Sequence, residues 1–335
     1  MKIRESLEER EQQILSPYAT LSMHSKGRTV EEEPCDIRPC FQRDRDRILY
    51  SKAFRRLKDK TQVFLTPEGD HYRTRMTHTL EVAQDARTIA RALRLNEDLT
   101  EAIAFGHDLG HTPFGHAGER ALNEICPLGF RHNEQSLRIV ECLEKNGQGL
   151  NLTYEVKDGI VNHQTSTMPH TLEGKIVRLA DKIAYIYHDM DDAVRGGIWE
   201  KGKLPERIGK VIGYTNDKWL DVFIHDIVTT SIDTDDVRMS EEVEAAFKDL
   251  RAFMFENIYT NAVAKAEEGK AMELVKTLYR YYMEHIEEVS SILQDRLYMG
   301  DSRERVVLDY VSAMTDRYAI MKYEELYVPK SWHVM

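Results

Sequence analysis

Phe105-Gly106-His107-Asp108-Leu109-Gly110-His111-Thr112-Pro113-Phe114-Gly115-His116-Ala117-Gly118-Glu119 places three of the chain's thirteen histidines within ten residues, beside two carboxylates. Imidazole and carboxylate together are what a divalent metal and a proton-transfer site both need. The amphipathic pattern from Glu101 to Gly110 puts His107 and Asp108 near the end of a helix. His111 lies one turn on from His107, on the same face. Pro113 disfavours helix at Thr112, so the chain turns there, and Gly110 and Gly115 permit the turn. His116 and Glu119 open a new element, where their i, i+3 spacing aims both side chains the same way. The plain alternative is a polar, solvated helix-turn-helix. Three histidines, two glycines and a proline at these spacings favour a site.

Outward from this stretch, the same 3.6-residue period recurs. Glu5 to Leu15 reads as a short helix, and Ser16 to Cys40 as turn-rich chain, either a loop over the core or a partner-binding arm. Phe41 to Lys60 reads as one charged helix with Ile48, Leu49, Ala53, Phe54 and Leu57 buried. Its cations suit intrahelical ion pairs or recognition of a polyanionic ligand equally well. Thr66 to Asp70 reads as a turn. A helix then runs to about Leu93, with His78 near the edge of its apolar face. Further helices are expected to about Glu144, over Tyr154 to His163, and from Leu172 to about Val194. The last carries Asp181 between buried positions, and a buried carboxylate wants a metal or an ion-pair partner. Helices over 205–212, 217–231, 239–263, 269–297 and 302–324 complete an all-α chain, with Pro329 to Met335 as a tail. No alternation long enough for a sheet, and no repeat, is present. The expected organisation is an arm over 1–40, a metal and catalytic core over 41–200, and a C-terminal helical region over 201–335 packed on it.

With 335 residues, 41% apolar and 31% charged, the chain is long enough to bury a core. It has no run of some twenty apolar residues for a membrane span. Its start lacks an apolar signal segment, so cytoplasmic residence is expected. A net charge of −11 argues against broad binding to nucleic acid, though not against a local basic pocket for a phosphorylated small molecule. Cys35, Cys40, Cys126 and Cys142 form no Cys-x-x-Cys pair, so a zinc ribbon is not expected, and reduced thiols fit a cytosolic protein.

His78, His107, Asp108 and Asp181 are the candidate metal ligands. Two imidazoles and two carboxylates suit Mn, Fe, Zn or Mg, with coordination positions left open for water and substrate. This H…HD…D pattern resembles the HD-domain superfamily of metal-dependent phosphohydrolases. The likeness is closer to one branch. His107-Asp-Leu-Gly-His-Thr-Pro-Phe-Gly-His116-Ala-Gly-Glu119 is similar to the signature of the dGTPase-like deoxynucleoside triphosphate triphosphohydrolases. Phe41-Gln-Arg-Asp-Arg-Asp-Arg-Ile, Phe54-Arg-Arg-Leu, Lys60-Thr-Gln-Val-Phe and Asp309-Tyr-Val-Ser-Ala-Met-Thr-Asp316-Arg-Tyr resemble its bacterial members. The motifs run from residue 16 to 325.

The resemblance implies a helical HD-domain core with added C-terminal helices. It implies hydrolysis of dGTP, or of dNTPs generally, to deoxynucleoside and tripolyphosphate. It implies one divalent ion (Mn, Fe, Zn, Ni or Mg, with Mn or Mg expected for activity) on His78, His107, Asp108 and Asp181. His116 and Glu119 match the family's catalytic pair, and His132 a third active-site histidine. His111 matches a residue beside the nucleoside and α-phosphate. Arg75 and Lys182 match triphosphate contacts, and Gln62, Tyr185 and Asp189 residues around the sugar. A homo-oligomer, with a hexamer favoured, is implied too. The chain is shorter than the enterobacterial dGTPases and carries no appended regulatory domain like that of the vertebrate SAM-and-HD-domain enzyme. Base preference and effector control therefore stay open. The rivals are another HD phosphohydrolase, such as a 5′-deoxynucleotidase or cyclic-nucleotide phosphodiesterase, and a non-catalytic nucleotide or single-strand nucleic-acid binder.

Overall fold

The computed structural model of the chain describes residues 2–62, 73–200, 202–259 and 267–330. The expected turn at Thr66 to Asp70 and the tail beyond residue 330 lie outside them. Among the described residues the fold is all-α, and the only β features are two isolated bridges, Arg28 with Thr153 and Thr61 with Thr74. No helix among them is long and apolar enough to cross a membrane.

Two apolar clusters organise the chain. The first joins the Cys40–Leu49, Arg75–Ala92, Glu97–Gly106, Tyr154–Val161 and Leu172–Arg195 helices through Ile48, Val82, Ile89, Ile103, Ile160, Ile176 and Ile183. It continues across residue 200 into Phe223, Ile227, Phe247 and Leu250 of the Trp219–Ser231 and Glu241–Met254 helices. The second packs the Gly115–Ile125 helix against Glu268–Glu284 and Arg303–Ser312, through Leu122, Val275, Leu278, Val307 and Val311. Burying branched aliphatics on one stripe of each helix supplies the main favourable term.

Several long expected helices are broken. The helix read over Phe41 to Lys60 divides into Cys40–Leu49, Lys52–Arg56 and a 3₁₀ turn at Leu57–Asp59. Ser51 starts the second piece: its hydroxyl accepts from the Phe54 N–H at 3.0 Å. Glu144 accepts the next two orphan donors, from the amides of Lys52 at 3.1 Å and Ala53 at 2.7 Å. The stretch 269–297 breaks between Glu284 and Ser291, and 302–324 breaks at Thr315, which caps the Asp316–Tyr327 helix. The Glu241–Met254 helix ends in a π turn at Phe255–Tyr259.

The charged helix resolves into ion pairs. Arg45 meets Asp98 at 2.9 Å and Glu101 at 3.0 Å, while Arg47 meets Glu32 at 2.6 Å. After the Ile3–Ile14 helix, the stretch 16–40 is strapped to the core. Thr20 donates to Glu173 and Ser25 to Glu155, each at 2.8 Å.

The C-terminal helices are tied to the core by buried polar groups. Asp309, fully buried, accepts from Gln135 at 2.9 Å and from Arg138 at 2.7 to 2.9 Å. Asp309→Ala should cost about 3 kcal/mol, the low end for breaking a buried pair, because Asp301 keeps part of Arg138 engaged. Urea unfolding reads this, and an unchanged midpoint would count against the tie.

Candidate functional site

Asn96 caps the Glu97–Gly106 helix by accepting from the Leu99 N–H at 3.2 Å, and His107 follows directly on its last turn. Phe114 and Gly115 both adopt the left-handed conformation, with φ of 61° and 54°, and reverse the chain into the Gly115–Ile125 helix. A left-handed phenylalanine is strained and needs outside support. Asp316 gives it, accepting the Phe114 N–H at 2.9 Å and the Thr61 N–H at 2.9 Å. Gly110 is required for a different reason: a Cβ there would lie 2.2 Å from the His132 carbonyl oxygen. That close approach seats the His132–Arg138 helix against the turn.

His78, His107, Asp108 and Asp181 converge from three separate places in the chain. Asp181 lies 3.1 Å from His78 Nε2 and 3.6 Å from His107 Nε2, and Asp108 lies 3.4 Å from His107 Nε2. Neighbouring ligands of one ion, each roughly 2.1 Å from it, stand about 3 Å apart. His107 Nδ1 donates to the Ala104 carbonyl at 2.7 Å, which leaves Nε2 bare, fully buried and without a hydrogen-bond partner. A divalent cation satisfies that orphan lone pair and the carboxylates facing it. Burial opposes charge on His107, yet Asp108 and Asp181 outweigh it and push the imidazole up to about 9. The carboxylates thus demand positive charge between them. Burial would also raise both acids, but their cationic neighbours hold them well below the usual carboxylate range.

Two further groups, Asp108–His111–His132 and His111–His116–Glu119, also bring three donors close together. Both nitrogens of His132 are already engaged. Its Nδ1 faces the two Glu119 oxygens at 3.0 Å and its Nε2 faces His163 Nε2 at 3.1 Å. The His78 group is the better metal centre.

A cavity of about 400 Å³ opens over these groups, lined by Gln62, Arg75, His78, Asp108, His111, His116, His132, His163, Asp181, Lys182, Tyr185 and Arg251, among others. A second, of about 700 Å³, shares His116, Tyr185 and Arg251 with it and adds Phe114, Met254, Phe255 and Tyr259. Glu119 stands behind its histidines: it takes His116 Nδ1 at 3.3 Å and the His132 amide at 2.9 Å. Burial would raise Glu119, but His116 and His132 hold it far below the usual carboxylate range. His111 stacks on His132 with centroids 3.9 Å apart. Burial, then Arg75 and His132, keep His111 neutral.

Arg75 is buried at the cavity wall, donating to Asp108 at 2.7 Å and to the Gln62 carbonyl at 3.0 Å. The Lys182 ammonium is drawn down to about 8 by burial and then by Arg178. Asp189 lies behind Tyr185, accepting from the Tyr259 hydroxyl, and burial drives its carboxyl well upward. Every candidate residue therefore lies on the cavity or directly behind it. Sequence reasoning did not single out His163 or Arg251. His163 follows an apolar helix as an ordinary polar stop, and Arg251 sits on the polar face of a long helix. Neither position carries a local signal.

Comparison with known proteins agrees with the geometry. The HD domain matches residues 75–186, which contain all four candidate ligands, and the phosphohydrolase-associated domain matches residues 237–325. The chain is 56% identical to a deoxyguanosinetriphosphate triphosphohydrolase-like protein of Caldanaerobacter subterraneus subsp. tengcongensis, over 99% of this chain and 98% of that one. It is 48% identical to another of that name in Desulfatibacillum aliphaticivorans, over 98% and 99% of the two chains. A phosphohydrolase crystal structure from Bacteroides thetaiotaomicron superposes with a TM-score of 0.54 at 17% identity, over 84% of this chain and 68% of that one. That likeness concerns the fold alone.

Proposed function

The chain belongs to the HD-domain family of deoxyguanosinetriphosphate triphosphohydrolase-like proteins, and from that premise we propose that it hydrolyses deoxynucleoside triphosphates to deoxynucleoside and tripolyphosphate. One observation carries the reading. His78, Asp108 and Asp181 of the candidate metal group, with His107 directly behind them, border one cavity together with His116 and His132, which Glu119 backs, and three cationic side chains. His78, His107, Asp108 and Asp181 would hold the divalent ion, with Mn or Mg expected for activity. When bound, such an ion supplies Lewis-acid chemistry toward phosphoryl oxygens. Arg75, Lys182 and Arg251 face the triphosphate and spread its charge. Gln62 borders the phosphate cavity, and Tyr185, with Asp189 and Tyr259 behind it, borders the sugar. The second cavity, lined partly by apolar side chains, takes the base. Water attacks the α-phosphorus, the bond to the 5′ oxygen breaks, and a proton must reach that oxygen. His116, oriented by Glu119, moves it.

Product analysis over a panel of dNTPs with Mn or Mg tests this. Tripolyphosphate and free deoxynucleoside are the expected products. Pyrophosphate with dNMP, or turnover only of a 5′-monophosphate or cyclic nucleotide, would assign another HD chemistry. No turnover would leave a nucleotide binder.

Because burial depresses Lys182, its charge fades as pH rises through about 8. The neutral amine loses its attraction to phosphate, so KM for dNTP should climb above that pH while kcat holds. Lys182→Arg should remove the climb, since a guanidinium stays charged. A flat KM in the parent protein would take Lys182 off the triphosphate. The family premise also carries a homo-oligomer, a hexamer favoured. Exposed Tyr298, Met299, Ile320 and Met321 supply apolar surface for contacts. A monomer mass by light scattering at micromolar concentration would refute it.

A further inference from the structure

Asp316 opens the Asp316–Tyr327 helix, in the stretch 237–325 that lies beyond the HD domain. The plain account of an acidic residue there is that it favours its own helix dipole. That helix is already capped, however: the Thr315 hydroxyl accepts the Tyr318 N–H at 3.2 Å. The Asp316 carboxylate turns elsewhere. One oxygen accepts the Phe114 N–H at 2.9 Å, and the other accepts the Thr61 N–H at 2.9 Å and the Thr61 hydroxyl. These partners lie 202 and 255 residues away in sequence. One carboxylate thus ties three segments together.

Both segments it grips border the cavity. Thr61 precedes Gln62, whose carbonyl accepts from Arg75 at 3.0 Å. Lys60, on the other side of Thr61, makes a parallel tie. Its Nζ donates to the His111 carbonyl and, at 2.9 Å, to the Ser312 carbonyl. Phe114 precedes the helix that carries His116 and Glu119. A Cβ on Gly115 would lie 3.0 Å from Arg75 Nη2 and 3.1 Å from the Gln62 carbonyl oxygen, so this turn sits directly on the cavity wall. Gly115 adopts its left-handed conformation freely, whereas the side chain of Phe114 opposes it. The Thr112 hydroxyl closes the turn from within, donating to the Gly115 carbonyl at 2.8 Å. Asp316 holds it from outside.

We infer that Asp316 is a positioning residue for the proposed reaction: by holding the left-handed turn at Phe114, it sets where the His116–Glu119 pair stands against the cavity. The inference rests on the phosphohydrolase reading of the site and gives the C-terminal helices a part in it. Asp316 is not among the described residues that line either cavity, so it acts through the turn and not on substrate. His116 lies two residues past Phe114, on the first turn of its helix. Released from Asp316, the turn relaxes toward the right-handed region and carries that first turn with it. The candidate metal ligands precede the turn or stand on other helices, so the ion keeps its place. A catalytic group moved by about 1 Å costs up to about a hundredfold in rate.

A double-mutant cycle tests this. Asp316→Ala should lower kcat for dNTP about 10–100-fold, with metal content retained and a smaller change in KM. Asp316→Asn leaves an oxygen for the Phe114 N–H and should keep most of the rate. Glycine takes the left-handed conformation unaided, so in a Phe114→Gly background the loss caused by Asp316→Ala should shrink to about threefold or less. If Asp316→Ala does not fold, Asp316→Glu carries the same cycle. It keeps the charge and shifts both oxygens by one methylene, so its smaller loss should likewise vanish with Phe114→Gly. An equal loss of kcat in both backgrounds would make Asp316 a packing tie only and overturn the inference. So would a parental kcat in Asp316→Ala, or loss of metal from it. The same cycle read by urea unfolding needs no turnover: Asp316→Ala should lower the midpoint less in the Phe114→Gly background. A protein that hydrolyses no dNTP yet shows that coupling would sink the functional reading and leave the tie standing.

Discussion

Asp108→Ala should leave the protein without bound metal and without measurable turnover. Asp108 holds three partners at once. One oxygen faces His107 Nε2 at 3.4 Å and His111 Nε2 at 3.3 Å, and the other accepts from Arg75 at 2.7 Å. Removing the carboxylate takes away one of the two anionic groups in the candidate ligand set, so the remaining charge no longer matches a divalent ion. It also leaves Arg75, with 2% of its side chain exposed, without its ion-pair partner. Breaking a buried pair from one side typically costs about 3–5 kcal/mol. The variant should therefore melt earlier than the parent, and the activity comparison belongs at a temperature where circular dichroism shows both folded. Elemental analysis of the folded variant reads the metal. Full occupancy with normal turnover would remove Asp108 from the ligand set. A metal-free but folded variant supports it, and the loss of rate then follows from the loss of the ion.

The candidate ligand cluster was legible in the chain because its spacing is local in part. His107, Asp108 and the turn at Pro113 occupy one short stretch, and helix periodicity placed His78 and Asp181 near buried faces. The helix content was legible for the same reason: apolar stripes recur at the helical period along most of the chain. The breaks were not. Ser51 and Thr315 are N-caps inside patterns whose apolar stripe runs on past them, and Glu144, which completes the break at Ser51, is far away in sequence. The charged helix at 41–60 was ambiguous on similar grounds. Its partners Glu32, Asp98 and Glu101 belong to other elements, so composition alone could not tell ion pairs from a ligand surface. The core running past residue 200 into Phe223 and Phe247 is likewise a matter of tertiary packing. His163 shows the limit most clearly, because only the fold brings its Nε2 to His132.

His116→Ala should keep its metal and lose at least about a hundredfold in kcat, the low end for a general acid–base group. The candidate ligands sit on the Arg75–Ala92 and Leu172–Arg195 helices and directly after the Glu97–Gly106 helix. His116 lies on the Gly115–Ile125 helix, beyond the left-handed turn, with 49% of its side chain exposed. Removing its ring leaves the ligand geometry and the Asp108–Arg75 pair untouched. The ring borders both cavities, and on the proposed reading it stands where the 5′ oxygen of a bound nucleotide would lie. Glu119 sits 3.3 Å from its Nδ1, which fixes that nitrogen as the donor and leaves Nε2 for the substrate. KM should change little, because the proposed triphosphate contacts are Arg75, Lys182, Arg251 and the metal. Loss of metal in the variant would make His116 a ligand. Retention of both metal and full rate would pass proton transfer to His111 or His132. The first of these is buried and kept neutral, and the second is held at both ring nitrogens. A rise in KM at constant kcat would mean that His116 binds substrate and transition state alike. The geometry favours the remaining outcome, a fall in kcat alone, because His116 borders both cavities while Glu119 engages its Nδ1, which leaves Nε2 for the substrate.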